Sequence, residues 1–83
     1  MLWNKISGNA KIQNKRGANM TLGNKIKQLR ENKKYSQEEL ADLLKVHSVT
    51  ISKWENGTQE PRAKRLSELA NTLNTSVEYL MGL

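Results

Sequence analysis

The fold of this chain is decided by residues 36–57, which read SQEELADLLKVHSVTISKWENG. Ser36 and Glu39 form a capping box, in which the Ser36 hydroxyl accepts a hydrogen bond from the Glu39 amide and the Glu39 carboxylate accepts one from the Ser36 amide. Apolar residues then recur at helical spacing as far as Leu44. The pattern predicts a short helix that begins after Ser36 and ends near Leu44.

A second helix follows after a tight turn at 45–47. Ile51 and Trp54 lie three positions apart and predict a helix that ends at Gly57, because glycine readily adopts the left-handed conformation found there. Small Ala41 lies where the two helices must pass close together. Two helices that cross steeply over a tight turn form a helix-turn-helix, whose second helix can enter the major groove of DNA.

Three further helices surround this pair. Thr21 is a suitable N-cap for a first helix, Pro61 is expected to open a fourth, and Ser76 is expected to cap a fifth. Asn74 should end the fourth helix and Gly82 the fifth, since both residue types tolerate left-handed geometry. The apolar residues that define these helices are Leu22, Ile26, Leu29, Leu66, Leu69, Ala70, Leu73, Val77 and Leu80. No pair of strands is indicated, so the expected fold class is all-α, a compact domain of five short helices.

The charge of the chain is unevenly distributed. Its formal net charge is +6, of which residues 1–20 contribute +4 and the helical domain at 21–83 contributes +2. The first segment is rich in Asn, Lys and Gly and has neither a helical nor a strand period, so we expect a flexible basic N-terminal extension. Three interpretations stay open: a disordered tail, residues upstream of a natural start at Met20, or an arm that reaches into the DNA minor groove.

Composition excludes several classes of protein. With 83 residues the chain forms one small domain, and with 0 Cys and 1 His it has no disulfides and no Cys or His metal cluster. No apolar run approaches the roughly 20 residues that span a bilayer, and no secretory signal opens the chain, so we expect a cytoplasmic protein. Because no catalytic spacing and no Gly-rich phosphate loop occur, we expect no enzyme activity, cofactor or metal. The basic balance favours nucleic acid as partner before an anionic membrane surface.

Several motifs occur in the order and spacing of a known family. They are LR at 29–30, SQEELA at 36–41, TISKWENG at 50–57 and LANTL at 69–73. On these residues the chain resembles, over 22–80, the lambda-repressor-like Cro/C1-type (Xre) helix-turn-helix domains of phage repressors and bacterial regulators. The resemblance implies five helices, binding to operator DNA, frequent homodimers and a bacterial or phage-encoded protein.

The recognition helix, at about 47–56, supplies the candidate base contacts. Val49 is apolar on a face where solvent would favour a polar residue, and apolar side chains can contact thymine methyl groups; a solitary exposed valine is the alternative. Lys53 can reach guanine N7 and O6 or a phosphate, and Thr50 can reach a base edge or the DNA backbone. The candidate base-contacting residues are Ser48, Val49, Thr50 and Lys53.

Candidate phosphate contacts lie around this helix. The resemblance implies that Gln37, in the first turn of the preceding helix, and Asn56 bind backbone phosphates. Arg62, Lys64 and Arg65 begin the fourth helix and can reach the flanking backbone, although such a cluster is often only a solvated face. The candidate phosphate-contacting residues are Gln37, Ser52, Asn56, Arg62 and Lys64.

The resemblance also implies an ion pair, and the chain departs from the family at two positions. Arg30 and Glu55 match positions that pair in phage repressors, so we expect them to join the first helix to the end of the recognition helix. Lys45 replaces the usual Gly of the turn, where a left-handed residue other than Gly costs about 1 kcal/mol. His47 replaces a frequent Ser cap, so either His47 or Ser48 caps the recognition helix.

Together these features predict a sequence-specific, double-stranded DNA-binding transcriptional regulator. We favour a repressor that binds a palindromic operator as a homodimer, with half-sites about 34 Å apart. The dimer surface is expected at the loop after the recognition helix and at the last helix, where Tyr79, Met81 and Leu83 either meet a partner or complete the core. The rival hypothesis is a protein-interaction module of the same fold, such as an antitoxin that caps a toxin. An end at Leu83 fits a stand-alone regulator, such as a restriction-modification controller, or the DNA-binding part of a protein with a C-terminal sensor domain.

Overall fold

The computed structural model describes residues 20–83, so the expected basic extension, apart from Met20, lies outside the described residues. The described range folds into five helices: α1 (Leu22–Asn32), α2 (Gln37–Leu44), α3 (Ser48–Asn56), α4 (Ala63–Thr72) and α5 (Val77–Met81). Residues 20–83 contain no strand, and no helix among them combines the length and apolar character that crossing a bilayer requires. The prediction of an all-α fold with five helices is confirmed.

Three helices begin at the caps that the sequence predicts. The Thr21 hydroxyl accepts a hydrogen bond from the Asn24 amide at 3.1 Å, which satisfies one of the free amides of the first turn of α1. At α2 both halves of the capping box are present: the Ser36 hydroxyl accepts from the Glu39 amide at 2.9 Å, and the Glu39 carboxylate accepts from the Ser36 amide at 2.7 Å. Ser76 caps α5 in the same way as Thr21 caps α1. Local side-chain chemistry therefore fixes where these helices start.

The helices end in left-handed residues, only some of which are glycine. Gly57 after α3 and Gly82 after α5 have φ of 83° and 80°, and Asn74 after α4 has φ of 59°, all as predicted. Lys34 after α1 and Lys45 after α2 adopt φ of 63° and 60°. A Cβ makes this conformation costly, so both turns are held in place by the packing of the helices that they join.

The start of α4 differs from the prediction. Pro61 does not open this helix: Arg62 is its N-cap, in extended conformation and without a side-chain cap hydrogen bond, and Ala63 is its first residue. The ring of Pro61 is buried and lines a cavity together with Leu66 and Leu80. Pro61 thus lies before the cap, and α4 starts two residues later than the preference of proline for the first helical position suggests.

One apolar core joins the five helices. Each helix contributes a side chain that is at most 1% exposed: Ile26 from α1, Leu40 from α2, Ile51 from α3, Leu69 from α4 and Leu80 from α5. Burial of such a side chain is worth about 1.5–3 kcal/mol. The remaining core residues are Ala41, Leu44, Trp54, Leu66, Ala70 and Leu73. Since α3 packs against both α1 and α2, the core holds α3 in a fixed orientation.

Candidate nucleic-acid interface

The turn between α2 and α3 sets the angle at which α3 leaves the core. Lys45 takes left-handed geometry, with φ of 60° and ψ of 44°. Its amide donates to the Asp42 carbonyl at 3.2 Å, and the Val46 amide donates to the Ala41 carbonyl at 3.0 Å, so the turn is closed by two backbone hydrogen bonds. Ala41 is only 2% exposed, because α3 approaches α2 closely at this point.

The N-terminus of α3 has no side-chain cap. His47 is the N-cap residue but makes no side-chain cap hydrogen bond, and Ser48 is the first residue of the helix. The alternative that Ser48 is the cap is therefore wrong, because the backbone of His47 is extended and Ser48 is already helical. Among residues 20–83, no side chain caps the first amides of α3. No group of three side chains that could hold a metal ion occurs within residues 20–83.

The two faces of α3 are chemically distinct. Ile51, Trp54 and Glu55 are buried. At about 100° per residue, the opposite face carries Val49 and Lys53; Val49 is 57% exposed and Lys53 is exposed as well. The remaining candidates on α3 are spread around it: Ser48, Thr50 and Ser52 are half-buried, and Asn56 is exposed.

Two of the candidate base contacts lie off the centre of the exposed face. Thr50 lines a cleft that it shares with His47, at the start of α3, and with Arg62, at the start of α4. Ser48 is half-buried on the first turn of α3. Of the four candidate base contacts, Val49 and Lys53 are thus the exposed ones, and Thr50 lies at the edge that faces α4.

Arg30, Glu55 and Gln37 form a hydrogen-bonded group beneath the exposed face. Arg30 Nε donates to Glu55 Oε2 at 2.6 Å and Arg30 Nη2 donates to Glu55 Oε1 at 3.2 Å, so the expected partners lie side by side. Gln37 Nε2 donates to Glu55 Oε1 at 3.0 Å. Arg30 and Glu55 are each 8% exposed. The hydrogen bond from Arg30 to Glu55 raises the pKa of the guanidinium, and the pair ties α1 to α3.

Arg65, in the first half of α4, forms hydrogen bonds to other residues of the protein. Arg65 Nη1 donates to Glu68 Oε1 at 2.7 Å and to the Leu44 carbonyl at 3.2 Å, so the side chain joins α4 to the end of α2. Contact of Arg65 with the DNA backbone stays a prediction. Arg62 and Lys64 are exposed at the start of α4 and keep their charges at the surface.

Asn56 and Thr58 organise the loop that follows α3. The Asn56 Oδ1 accepts a hydrogen bond from the Thr58 amide at 2.9 Å. This bond fixes the orientation of the Asn56 side chain, because its oxygen must face the amide donor and its NH₂ group faces away. Gly57 between them takes φ of 83°.

Gly23 is a residue whose role the sequence interpretation missed. A Cβ at this position would lie 2.6 Å from the Trp54 carbonyl oxygen and would also clash with the Glu55 carbonyl oxygen. α1 therefore approaches the C-terminal end of α3 backbone against backbone, and only glycine fits. The signal that could have revealed it is a glycine inside a helical pattern, which usually has a packing reason.

Three exposed apolar side chains lie in and after α5. Tyr79, Met81 and Leu83 are 43%, 55% and 87% exposed, so they do not complete the core. Lys25 Nζ donates to the Tyr79 carbonyl at 2.9 Å and lies 4.9 Å from the centroid of the Tyr79 ring. Lys25 thereby joins α1 to α5 through Tyr79.

Comparisons of the sequence with known proteins identify relatives. The helix-turn-helix family profile matches residues 26–80. The chain is 38% identical over 63 residues to the HTH-type transcriptional regulator DicA of Escherichia coli K12, a match that covers 76% of this chain and 47% of DicA. It is 33% identical over 63 residues to the HTH-type transcriptional regulator ImmR of Bacillus subtilis, covering 76% of this chain and 50% of ImmR. The chain thus spans about half the length of these relatives.

Solved structures show the same arrangement of helices. The P22 c2 repressor in complex with synthetic operator 9T is 33% identical, with a TM-score of 0.71, over 74% of this chain and 92% of that one. SinR in complex with DNA is 34% identical, with a TM-score of 0.69, over 74% of this chain and 98% of that one. In sequence and in fold, the chain belongs to the Cro/C1-type helix-turn-helix family.

Proposed function

We propose that this protein is a transcriptional regulator that binds double-stranded DNA sequence-specifically, with α3 in the major groove. The observation that carries the proposal is the 57% exposure of Val49 on the outward face of a helix whose other face is locked into the core. An aliphatic side chain displayed on a rigid helix suits contact with thymine methyl groups. The regulators and operator-bound repressors among the relatives support this assignment.

The residues divide into base readers and phosphate contacts. Val49 and Lys53 read base edges at the centre of α3, with Ser48 and Thr50 at its margins. A lysine can donate to guanine O6 and N7. The phosphate contacts, which fix the position of α3 along the groove, are Gln37, Ser52, Asn56, Arg62 and Lys64.

The protein acts as a homodimer on a palindromic operator, and we favour repression as the outcome. Tyr79, Met81 and Leu83 supply exposed apolar surface near the end of the domain. Two copies that meet through such a surface present two recognition helices, which enter successive major grooves about 34 Å apart.

Selection of bound sites from a pool of random duplex DNA tests the proposal. We expect enrichment of a palindromic sequence, with half-site centres one helical turn apart. A protein-interaction module would enrich no sequence, and a monomeric reader would enrich an isolated half-site.

Substitution Val49→Ala then tests the role of α3. We expect it to weaken binding to the selected sequence by about 1–3 kcal/mol and to leave binding to random duplex nearly unchanged, because the substitution removes only an interaction with the bases. Leu43→Ala is a matched control, since Leu43 is an aliphatic residue of α2 that is 52% exposed; its affinities should match those of the wild type. An equal loss of affinity on both duplexes for Val49→Ala would contradict base readout.

A further inference from the structure

His47 lies at the start of the recognition helix and is the single histidine of the chain. It is the N-cap residue of α3, with an extended backbone at φ of −80° and ψ of 148°, and its side chain makes no cap hydrogen bond. Its carbonyl accepts a hydrogen bond from the Thr50 amide at 2.9 Å, and the amide of the preceding Val46 donates to the Ala41 carbonyl at 3.0 Å. The backbone around His47 is therefore held on both sides, while the side chain is exposed.

The imidazole lies at the edge of α3 that faces α4. His47 and Thr50 line a cleft of about 380 Å³ together with Arg62, the N-cap of α4. Thr50 and Arg62 are both proposed to contact DNA, and the N-terminal residues of a recognition helix are those that reach the bases. His47 directly precedes the first of these residues, Ser48, so the proposed DNA interface surrounds it.

The charged groups that face His47 come from the turn before α3, from the segment before α4 and from α4 itself. They are Lys45 in the turn, Glu60 and Arg62 before α4, and Arg65 within α4. Arg65 is paired with Glu68 at 2.7 Å. Two further cations and one anion are left among the described residues that line the cleft, so this part of the surface is positive overall and attracts the DNA backbone.

Imidazole is the side chain whose charge ordinarily changes between about pH 5 and 8. A negative charge within about 4–6 Å favours its protonated form, and duplex DNA brings one negative charge for each ~1.7 Å of its axis. The other charged residues of the cleft are lysine, arginine and glutamate, which are side-chain types that ordinarily titrate outside this range. A proton that is taken up at this edge of α3 when DNA binds therefore goes to the imidazole.

We propose that DNA binding by this protein is coupled to protonation of His47, so that the regulator binds its operator more tightly as the pH falls from about 8 to 6. The inference rests on the proposed function and adds a form of regulation to it. The direction follows from linkage, because a group that gains a proton in the complex strengthens binding below the pH at which it titrates and contributes nothing well above that pH.

The test is the pH dependence of affinity. The full chain is titrated into a fluorescently labelled duplex that carries the sequence enriched by selection from random duplex DNA, at intervals between about pH 6 and 8.5. We expect binding to be about threefold to tenfold tighter at the lower end of this range. The slope of log K against log salt should also be steeper there, by up to about 0.9, because the imidazolium replaces one counterion.

Two variants separate the effect of His47 from that of the α-amino group, which ordinarily titrates near pH 8. His47→Ser removes the imidazole and supplies a side chain that caps helices well, so the fold is kept. Its affinity should stay near that of the wild type at high pH and lose most of the rise on acidification. His47→Arg carries a permanent charge and should bind at high pH about as tightly as the wild type binds at low pH.

The outcomes distinguish the coupling from the proposed function. An equal rise in affinity on acidification for His47→Ser and the wild type, or no rise for the wild type on the selected duplex, would overturn the coupling while sequence-specific binding stands. Tighter binding at high pH would overturn it as well. A selection that enriches no sequence would instead overturn the proposed function, and the coupling with it.

Discussion

At the scale of single residues, the fold holds Lys45 in an energetically unfavourable backbone conformation. Its φ of 60° is a conformation in which the Cβ of an L-residue is crowded, and glycine avoids the crowding. We expect Lys45→Gly to raise the free energy of unfolding by about 1 kcal/mol, measured by urea denaturation without DNA. Lys33→Gly is the control, since Lys33 has φ of −88° and should gain nothing. Equal effects at both positions would refute the conformational explanation.

The residues whose roles could be predicted from the sequence are those that interact with near neighbours in the chain. The capping box of Ser36 and Glu39 and the left-handed Gly57 follow from neighbours a few positions away, and the structure has them as predicted. The hydrogen bond between Gln37 and Glu55 joins residues 18 positions apart. Such a contact is set by the packing of α2 against α3, so the resemblance to the family could suggest a DNA contact for Gln37 but residue type could not suggest its partner in the protein.

At the scale of helices, α1 approaches the end of α3 so closely that a side chain at Gly23 would meet the backbone of α3. Gly23→Ala would bring a Cβ against the Trp54 carbonyl at 2.6 Å, where backbone must move to make room. We expect a loss of about 1–3 kcal/mol in the free energy of unfolding, because this strain outweighs the better helix propensity of alanine. Gln28→Ala, at an exposed position of the same helix, is the control and should be neutral or slightly stabilising. Stabilisation by Gly23→Ala would show that the two helices can separate without cost.

Helix positions were predictable because apolar spacing and caps define them, whereas contacts between helices were not. Three helix starts follow from capping residues that precede the apolar pattern, yet α4 begins two residues after Pro61, whose ring is buried. The contacts of Arg65 were likewise not predictable from the sequence. Its sequence neighbours suggest a surface charge cluster, but the turn after α2 brings the Leu44 carbonyl within 3.2 Å of its guanidinium.

At the scale of the whole molecule, most of the net charge and the residues proposed to read the DNA sequence lie in different parts of the chain. Residues 1–20 carry +4 of the net +6, while the proposed base readers lie on α3. Replacement of Lys5, Lys11, Lys15 and Arg16 by Gln keeps the length of the chain and removes this charge. We expect weaker binding to random duplex and a shallower salt slope, by about 0.9 for each phosphate that is no longer neutralised. The ratio of affinities for selected and random duplex should stay nearly constant, because interactions with the bases set that ratio. An unchanged salt slope for the variant with all four substitutions would show that these charges do not neutralise DNA phosphates. A fall in the ratio of affinities for selected and random duplex would show that the segment itself reads sequence.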